Sequence, residues 1–452
     1  METSLEKLVS LIATVSKKAI ASNSVIPREE LLFNWELDDF SYIEKGAQNS
    51  KAHSKETIKK DWFMASRKLS DEIALSLEFA EVEKTIKEQY PESINPQYDL
   101  GRFCDSILPI FLEQPQKKNK KAVADIVRRF VRDLNKEPIV GRASFNVYGI
   151  VLQSEKIKLA DNIFIRRVKK EDFETPMMMY GFGEHTIHRP YHSVIMQIDQ
   201  ILKEDERTNS VIQTSGDKYI ALLRLFRVGN VHYTSYKMSS DVLLPPYFTG
   251  MMTMNVNTNL TASPYLITKK EEKVLRHFLN NLSLPKDIYN FSGKKINHLT
   301  IAFDRYSEAL LEMTYFERKI TNVVMGLEAL FSTDSVELNF RLSNRVSKVL
   351  SFLGQDPLTT KETLLQAYKV RSTFSHGGHL DTKMKSKLEL EYNSVDNFLH
   401  LITNYLRISL IIMFSCDTTK EDLIKLIDDS FVDNGKNNEL KLCLTKVKPF
   451  LR

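Results

Sequence analysis

Apolar residues recur at three- and four-residue intervals through SDEIALSLEFAEVEKTIKEQY and VADIVRRFVRDLNK, with charged residues filling the opposite faces. That spacing predicts a mostly helical region over residues 1–137. The texture then changes. ASFNVYGIVL and KLADNIFIRRV are rich in β-branched and aromatic residues, and Asp161 and Asn162 are turn formers. YIALLRLFRVGNVHYTSYKM is expected to form a hairpin closed at Gly229-Asn230. Residues 138–262 are therefore read as a mixed α+β domain with antiparallel strands.

Helical spacing returns from residue 263, beginning with KKEEKVLRHFLNNL. Tyr306, Leu310, Met313, Phe316, Ile320, Val324, Leu327 and Phe331 fall on one stripe, which predicts a single long helix over 306–331. A second helix uses Leu338, Leu342, Val346, Val349 and Leu353 and stops at Gly354. A third starts near Leu358 and runs into VRSTFSHGG, Val370 to Gly378. A fourth covers about residues 386–415. Short links between amphipathic helices imply antiparallel neighbours, hence a helical bundle over 263–416 with a helical tail over 417–452. The fold class is α+β, and no internal repeat is present.

Composition narrows this only slightly. With 452 residues and 42% apolar content the chain can bury a sizeable core, and a net charge of +5 permits a polyanionic partner without demanding one. Cys104, Cys416 and Cys443 are too widely spaced for a metal knuckle and are read as three free thiols of a reducing compartment. The first residues lack the basic start of a signal peptide. The apolar run from Phe398 to Ser415 is interrupted by His400, Asn404 and Arg407, so a buried helix is expected rather than a membrane span. A cytoplasmic protein with no membrane partner is the expectation.

Candidate chemistry is sparse. EQPQKKNKKA, with Arg128, Arg129 and Arg132 after it, could touch phosphates, or could equally be a solvated loop and helix face. His185, His188 and His192 could hold zinc, although no thiol or helical scaffold fixes them and Pro190 breaks the segment. No metal or other cofactor is called for. G-x-x-x-x-G-K-[ST], G-x-S-x-G and H-E-x-x-H do not occur, which removes several common enzyme classes.

VRSTFSHGG poses a sharper question. With Leu364 taken as the origin and about 100° per residue, Tyr368 lies at about 40°, Ala367 at about 300° and Phe374 at about 280°. Arg371, at about 340°, falls inside that apolar arc. A guanidinium taken out of water costs several kcal/mol unless an anion compensates it, so Arg371 needs a partner. Glu328 projects onto the same stripe as Leu310 and Val324 and is a plausible internal one; Glu317 also falls there. His376 lies about 140° from Arg371 on a straight helix, but Gly377 and Gly378 permit a left-handed cap that could unwind the last turn and re-aim the imidazole. A helix C-terminus favours a protonated imidazole. Arginine with histidine suits phosphodiester cleavage, one holding the phosphorane and the other moving protons. Spacing alone is weak: chance supplies about half an Arg-x4-His match in such a chain, and Arg227 with His232 forms another.

The segments LTIAFDRYSEALLEMTYFERKITNVVMGLEALF, ELNFRLSNRVSKVLSFLG and LLQAYKVRSTFSHGG together resemble the HEPN superfamily, in its Apea-like branch. The shared features are a LEALF-like helix, an RL..R helix and an RS...HG ending. The resemblance spans residues 265–416 well and 138–262 loosely; residues 1–137 match nothing. It implies a metal-independent endoribonuclease in which a ribose 2′-hydroxyl attacks its own phosphate, leaving a cyclic phosphate and a 5′-hydroxyl. It implies RNA as substrate, a homodimer with a composite site, and a role in antiviral or abortive-infection defence. Arg371 and His376 fill the family signature as catalytic residues. Glu328 would orient Arg371, and His379 is a secondary candidate. Ser372 departs from the larger polar residue usual in the superfamily, although the Apea-like branch shares it.

Two other readings remain. The bundle could bind RNA, nucleotide or a partner protein without catalysis, or a different enzyme could use the His185, His188 and His192 cluster. Residues 1–262 would sense a trigger or restrain the nuclease, because an uncontrolled ribonuclease harms its own cell.

Overall fold

The computed structural model describes residues 2–37, 52–91, 93, 95–113, 120–168, 175–176, 194–206, 209–246, 250–253, 264–290, 294–333 and 337–451. The helix α1 (Glu2–Ala21) places Leu5, Leu8, Ile12 and Ala19 on one buried face. An antiparallel hairpin of β1 (Arg28–Leu37) and β2 (Ala52–Asp61) follows, in register from Arg28 opposite Asp61 to Leu37 opposite Ala52. The region expected to be mostly helical thus contains a sheet: Leu31, Phe33, Trp35 and Leu37 alternate along β1, a strand signal that the helical reading passed over, while β2 is almost wholly polar in sequence. Helices α2 (Phe63–Ile73), α3 (Leu77–Gln89), α4 (Pro96–Glu113) and α5 (Lys120–Leu134) complete this part. Their buried faces share one core, centred on Phe79, Phe103, Ile107 and Phe130, with Leu244 joining from further along the chain. Asp133 secures that junction by accepting hydrogen bonds from the Leu243 and Leu244 amides, at 2.6 and 3.2 Å.

The next strands are β3 (Ile139–Tyr148), β4 (Ile150–Leu152), β5 (Lys156–Ala160), β6 (Ile163–Arg167), β7 (Thr175–Pro176) and β8 (Val194–Leu202). After α6 (Asn209–Phe226) come β9 (His232–Ser240), β10 (Gly250–Thr253) and β11 (Tyr265–Ile267). Six strands form an antiparallel sheet in the order β10-β9-β3-β8-β6-β5. β11 pairs in parallel with β4, and β7 pairs with β1. The class is α+β.

The expected hairpin at Gly229-Asn230 is not there. Tyr219 to Phe226 belong to α6, and only the second half, from His232, is a strand. The run Ile220 to Phe226 is buried almost all round except at Arg224, a pattern that periodicity cannot separate from a buried strand. The α6 helix lies across the sheet with Gly216 against the Phe145 ring, leaving no space for a methyl group.

The C-terminal helices are α7 (Glu272–Asn281), α8 (His298–Leu311), α9 (Phe316–Phe331), α10 (Leu338–Ser351), α11 (Pro357–Ser375), α12 (Thr382–Tyr392), α13 (Val395–Ser415), α14 (Lys420–Asp429) and α15 (Asn434–Thr445). The single helix expected over 306–331 is two. Glu312 and Tyr315 take extended backbone, Met313 is exposed, and α9 packs against α8 so that both apolar faces become covered. The fourth expected helix is likewise divided, at Asn393 in a left-handed conformation. Gly354 ends α10's turn with a left-handed φ of 94°. The apolar helix α13 is buried at Ile402, Tyr405, Leu406, Ile408 and Ile411.

Side chains from the six-stranded sheet and from α6 to α15 form one continuous core running from Ile139 to Val447. Replacing Gly216 with alanine should cost about 2 kcal/mol by driving a methyl group into the Phe145 ring. Urea unfolding of the variant should show that loss at an unchanged m-value.

Candidate functional site

The helix α11 carries the residues singled out in the sequence. Asp356 caps its start by accepting the Thr359 amide at 2.7 Å, and Pro357 occupies the first helical position. Leu364, Ala367 and Val370 are buried and hold the helix against α9 and α10. Its end is a Schellman motif. Gly377, at φ +80°, donates to Phe374 O at 3.0 Å, and Gly378 donates to Thr373 O at 2.9 Å. The loop beyond is pinned by Glu317, which accepts the Leu380 amide at 3.1 Å.

Arg371 sits at the margin of the core, with 28% of its side chain exposed, rather than within it. Its Nη2 donates to Glu328 Oε2 at 3.4 Å, a long contact, so the expected pairing is present but loose. The guanidinium also lies 5.5 Å from the centre of the Tyr368 ring. Two polar atoms are left over: Arg371 Nε and Glu328 Oε1 are buried and have no hydrogen-bond partner. Burial raises the Glu328 carboxyl above its ordinary value of 4.5, and the Arg371 charge offsets this only in part.

His376 is the C-cap residue and is exposed. Its amide still closes a helical turn on Ser372 O at 3.2 Å. The last turn does not unwind: α11 stays helical through Ser375, and the left-handed residue is Gly377, one position too late to re-aim the imidazole. Arg371 and His376 therefore remain about 140° apart around the helix and share no face within one chain. Ser372 is half-buried beside Arg371 in sequence, and His379 is exposed beyond the cap.

A groove of about 640 Å³ opens between the start of α10 and the outer face of α11. Leu338, Phe340, Lys361, Leu365 and Tyr368 line it, and the Lys361 ammonium stands 5.4 Å from the centre of the Phe340 ring. Tyr368 thus links the groove to Arg371. Sequence reasoning missed this feature. In the structure Phe340 marks it, a large aromatic that is 60% exposed.

Other candidates are accounted for differently. Arg345, in the RL..R helix, is buried and structural: it grips Asp428 through two contacts at 2.8 and 2.7 Å and donates to Phe331 O at 2.6 Å. Arg128 and Arg129 pair with Asp125, and Arg132 with Asp133 and Asp241, so this helix face is largely neutralised. His185, His188 and His192 lie outside the described residues, as do residues 114–119 of the charged linker. Comparison with protein-family models, with curated proteins and with solved structures gives no match.

The raised Glu328 value generates a prediction with a definite sign. A carboxyl raised on folding stabilises the protein fully below its ordinary value of 4.5, and that stabilisation is lost as pH rises through the folded value. The stability of the wild type relative to Glu328→Gln should therefore be greatest near pH 4 and decline towards neutrality. Urea unfolding of both proteins across that range reads the difference. A trend in the opposite direction would mean that Arg371 outweighs burial.

Proposed function

We propose that the C-terminal helices form a HEPN-type, metal-independent endoribonuclease that acts as a homodimer on RNA. The observation that carries this reading is the unspent capacity of Arg371. Its side chain is 28% exposed, holds Glu328, its one ion-pair partner among the described residues, at 3.4 Å, and keeps a buried Nε without an acceptor. An anion arriving from outside would complete it. The phosphodiester of RNA has the right charge and geometry for a planar guanidinium fork.

In this mechanism the 2′-hydroxyl of the substrate attacks the adjacent phosphorus, and the 5′-oxygen leaves. Arg371 steadies the charge that develops on the phosphorane oxygens. His376, exposed to solvent, takes the proton from the 2′-hydroxyl or delivers one to the leaving oxygen. Glu328 positions the guanidinium, while Ser372 and His379 are peripheral. Because Arg371 and His376 diverge around α11, a composite site with groups from two copies supplies the convergence that one copy lacks. The resemblance extends the proposal to antiviral, abortive-infection defence in the cytoplasm, with residues 1–262 sensing the trigger.

One observation favours a second reading. The groove of Phe340, Lys361 and Tyr368, with Glu337 also in its lining, offers aromatic faces beside a cation, which suits a bundle that binds RNA or nucleotide without cutting it.

Total RNA incubated with the full-length protein separates the two. Cleavage should persist in EDTA, disappear in His376→Ala, and fall by about 100-fold or more in Arg371→Lys, which keeps the charge but loses the fork. Binding without cleavage would select the second reading. Cleavage abolished by EDTA and by His188→Ala would assign the activity to the histidine cluster instead.

A further inference from the structure

Cys416 and Cys443 lie 27 positions apart in sequence, yet their sulfurs stand 3.0 Å from each other and share a hydrogen bond. Each is held by a different part of the C-terminal region. Cys416 is the buried C-cap of α13, whose amide closes on Ile412 O at 2.9 Å. Cys443 lies in α15, half-buried between the fully buried Leu440 and Leu444. Both thiols are free. The tail that brings them together is integral to the core: Leu440, Leu444 and Val447 are fully buried, and Phe450 packs edge-on to Phe278.

We propose that Cys416 and Cys443 form a redox modification site, closing to a disulfide when the protein meets a peroxide and reopening under thiol reductants. With the sulfurs 3.0 Å apart, only about 1 Å remains to close to a disulfide, and the half-exposed Cys443 gives the oxidant access. Chemistry supports the order of events. Cys443 is the more exposed of the two sulfurs, and the facing Cys416 sulfur and the nearby Lys446 hold its thiol below the ordinary value, so it meets the oxidant first.

The balance is simple. The Cys443 thiolate attacks one oxygen of hydrogen peroxide, the O–O bond breaks, and hydroxide leaves to be protonated as water. Cys443 is then a sulfenic acid. The Cys416 sulfur attacks the Cys443 sulfur, an S–S bond forms, the S–O bond breaks, and the departing hydroxide takes the Cys416 proton as a second water. Two electrons leave the sulfur pair and reduce one peroxide to two waters. Cys104 has no part in this: it is fully buried in the N-terminal core, and burial pushes its thiol up to about 12.

The test treats the folded full-length chain with hydrogen peroxide, removes the oxidant, denatures the chain without reductant, alkylates remaining thiols and reads intact mass and non-reduced peptides. The expected result is a monomer lighter by two hydrogen atoms, with one Cys416–Cys443 cross-linked peptide and one alkylated thiol. The oxidised form should melt about 4 °C higher, since the bond ties the tail to α13. Cys443→Ser should abolish the mass loss, Cys104→Ala should leave it intact, and Cys416→Ser should leave a Cys443 sulfenic acid that dimedone traps. Three alkylatable thiols after peroxide, a bond between two chains, or a dimedone adduct on wild-type Cys443 as strong as in Cys416→Ser would each overturn the proposal. The wild-type readings need no variant to fold.

Discussion

The last carbonyl groups of a buried helix need partners, and at the C-terminal end of α6 those partners come from the bundle. Arg407, on α13, donates to Leu225 O at 2.8 Å and Phe226 O at 3.2 Å. Tyr306, on α8, donates to Arg224 O at 2.7 Å, and Tyr265 reaches Leu223 O at 2.9 Å. Arg224 itself turns back to donate to Val231 O at 2.6 Å. A shift of the bundle against the sheet that kept the interface dry would strand these carbonyls and the Arg407 guanidinium, each orphan costing about 1–3 kcal/mol or more. This explains why one core spans both parts. It also explains the polar breaks in the apolar helix α13: Asn404 and Arg407 form a hydrogen-bonded pair at 2.8 Å, aimed at another helix end.

A comparable constraint fixes the tail. Arg345 joins the end of α9, through Phe331 O, to Asp428 at the end of α14. With the α9 end held this way, the helix carrying Glu328 cannot shift independently of the tail. The position of Glu328 then sets how far Arg371 is drawn inward. The tail, the RL..R helix and the candidate site are mechanically one assembly.

Much of this was legible in the sequence, and the failures have definite causes. Helical spacing located α10 and α11 closely because each has one apolar face and clear end signals, Gly354 for the first and the Gly377-Gly378 pair for the second. The hairpin error at Tyr219 to Phe226 arose because a helix buried on nearly all sides loses its period. The stripe from Tyr306 to Phe331 continued across Glu312 to Tyr315 by coincidence of phase, and only packing shows that the helix stops there. At the site, Glu328 was identifiable as a partner of Arg371 because both projected onto facing stripes. The depth of Arg371 was not, since a helical wheel gives direction without distance from the core. The groove at Phe340 and Lys361 depends on how α10 approaches α11, and no local pattern encodes that.

Among the described C-terminal helices, Arg345 and Arg407 are buried and Arg371 lies at the margin of the core, and the three differ in how burial and hydrogen bonding are matched. Arg345 is 5% exposed and directs its donors to a carboxylate and a carbonyl. Arg407 is 8% exposed and directs its own to an amide oxygen and two carbonyls. In both, burial and hydrogen bonding are matched, as a structural role requires. Arg371 breaks the match: its one ion-pair contact is long, its Nε is buried without an acceptor, and its carboxylate neighbour is held towards the neutral form by burial. Stability alone would favour tightening this contact or replacing it with apolar side chains. Its looseness beside an open groove sets Arg371 apart from the two arginines whose donors are spent within the core.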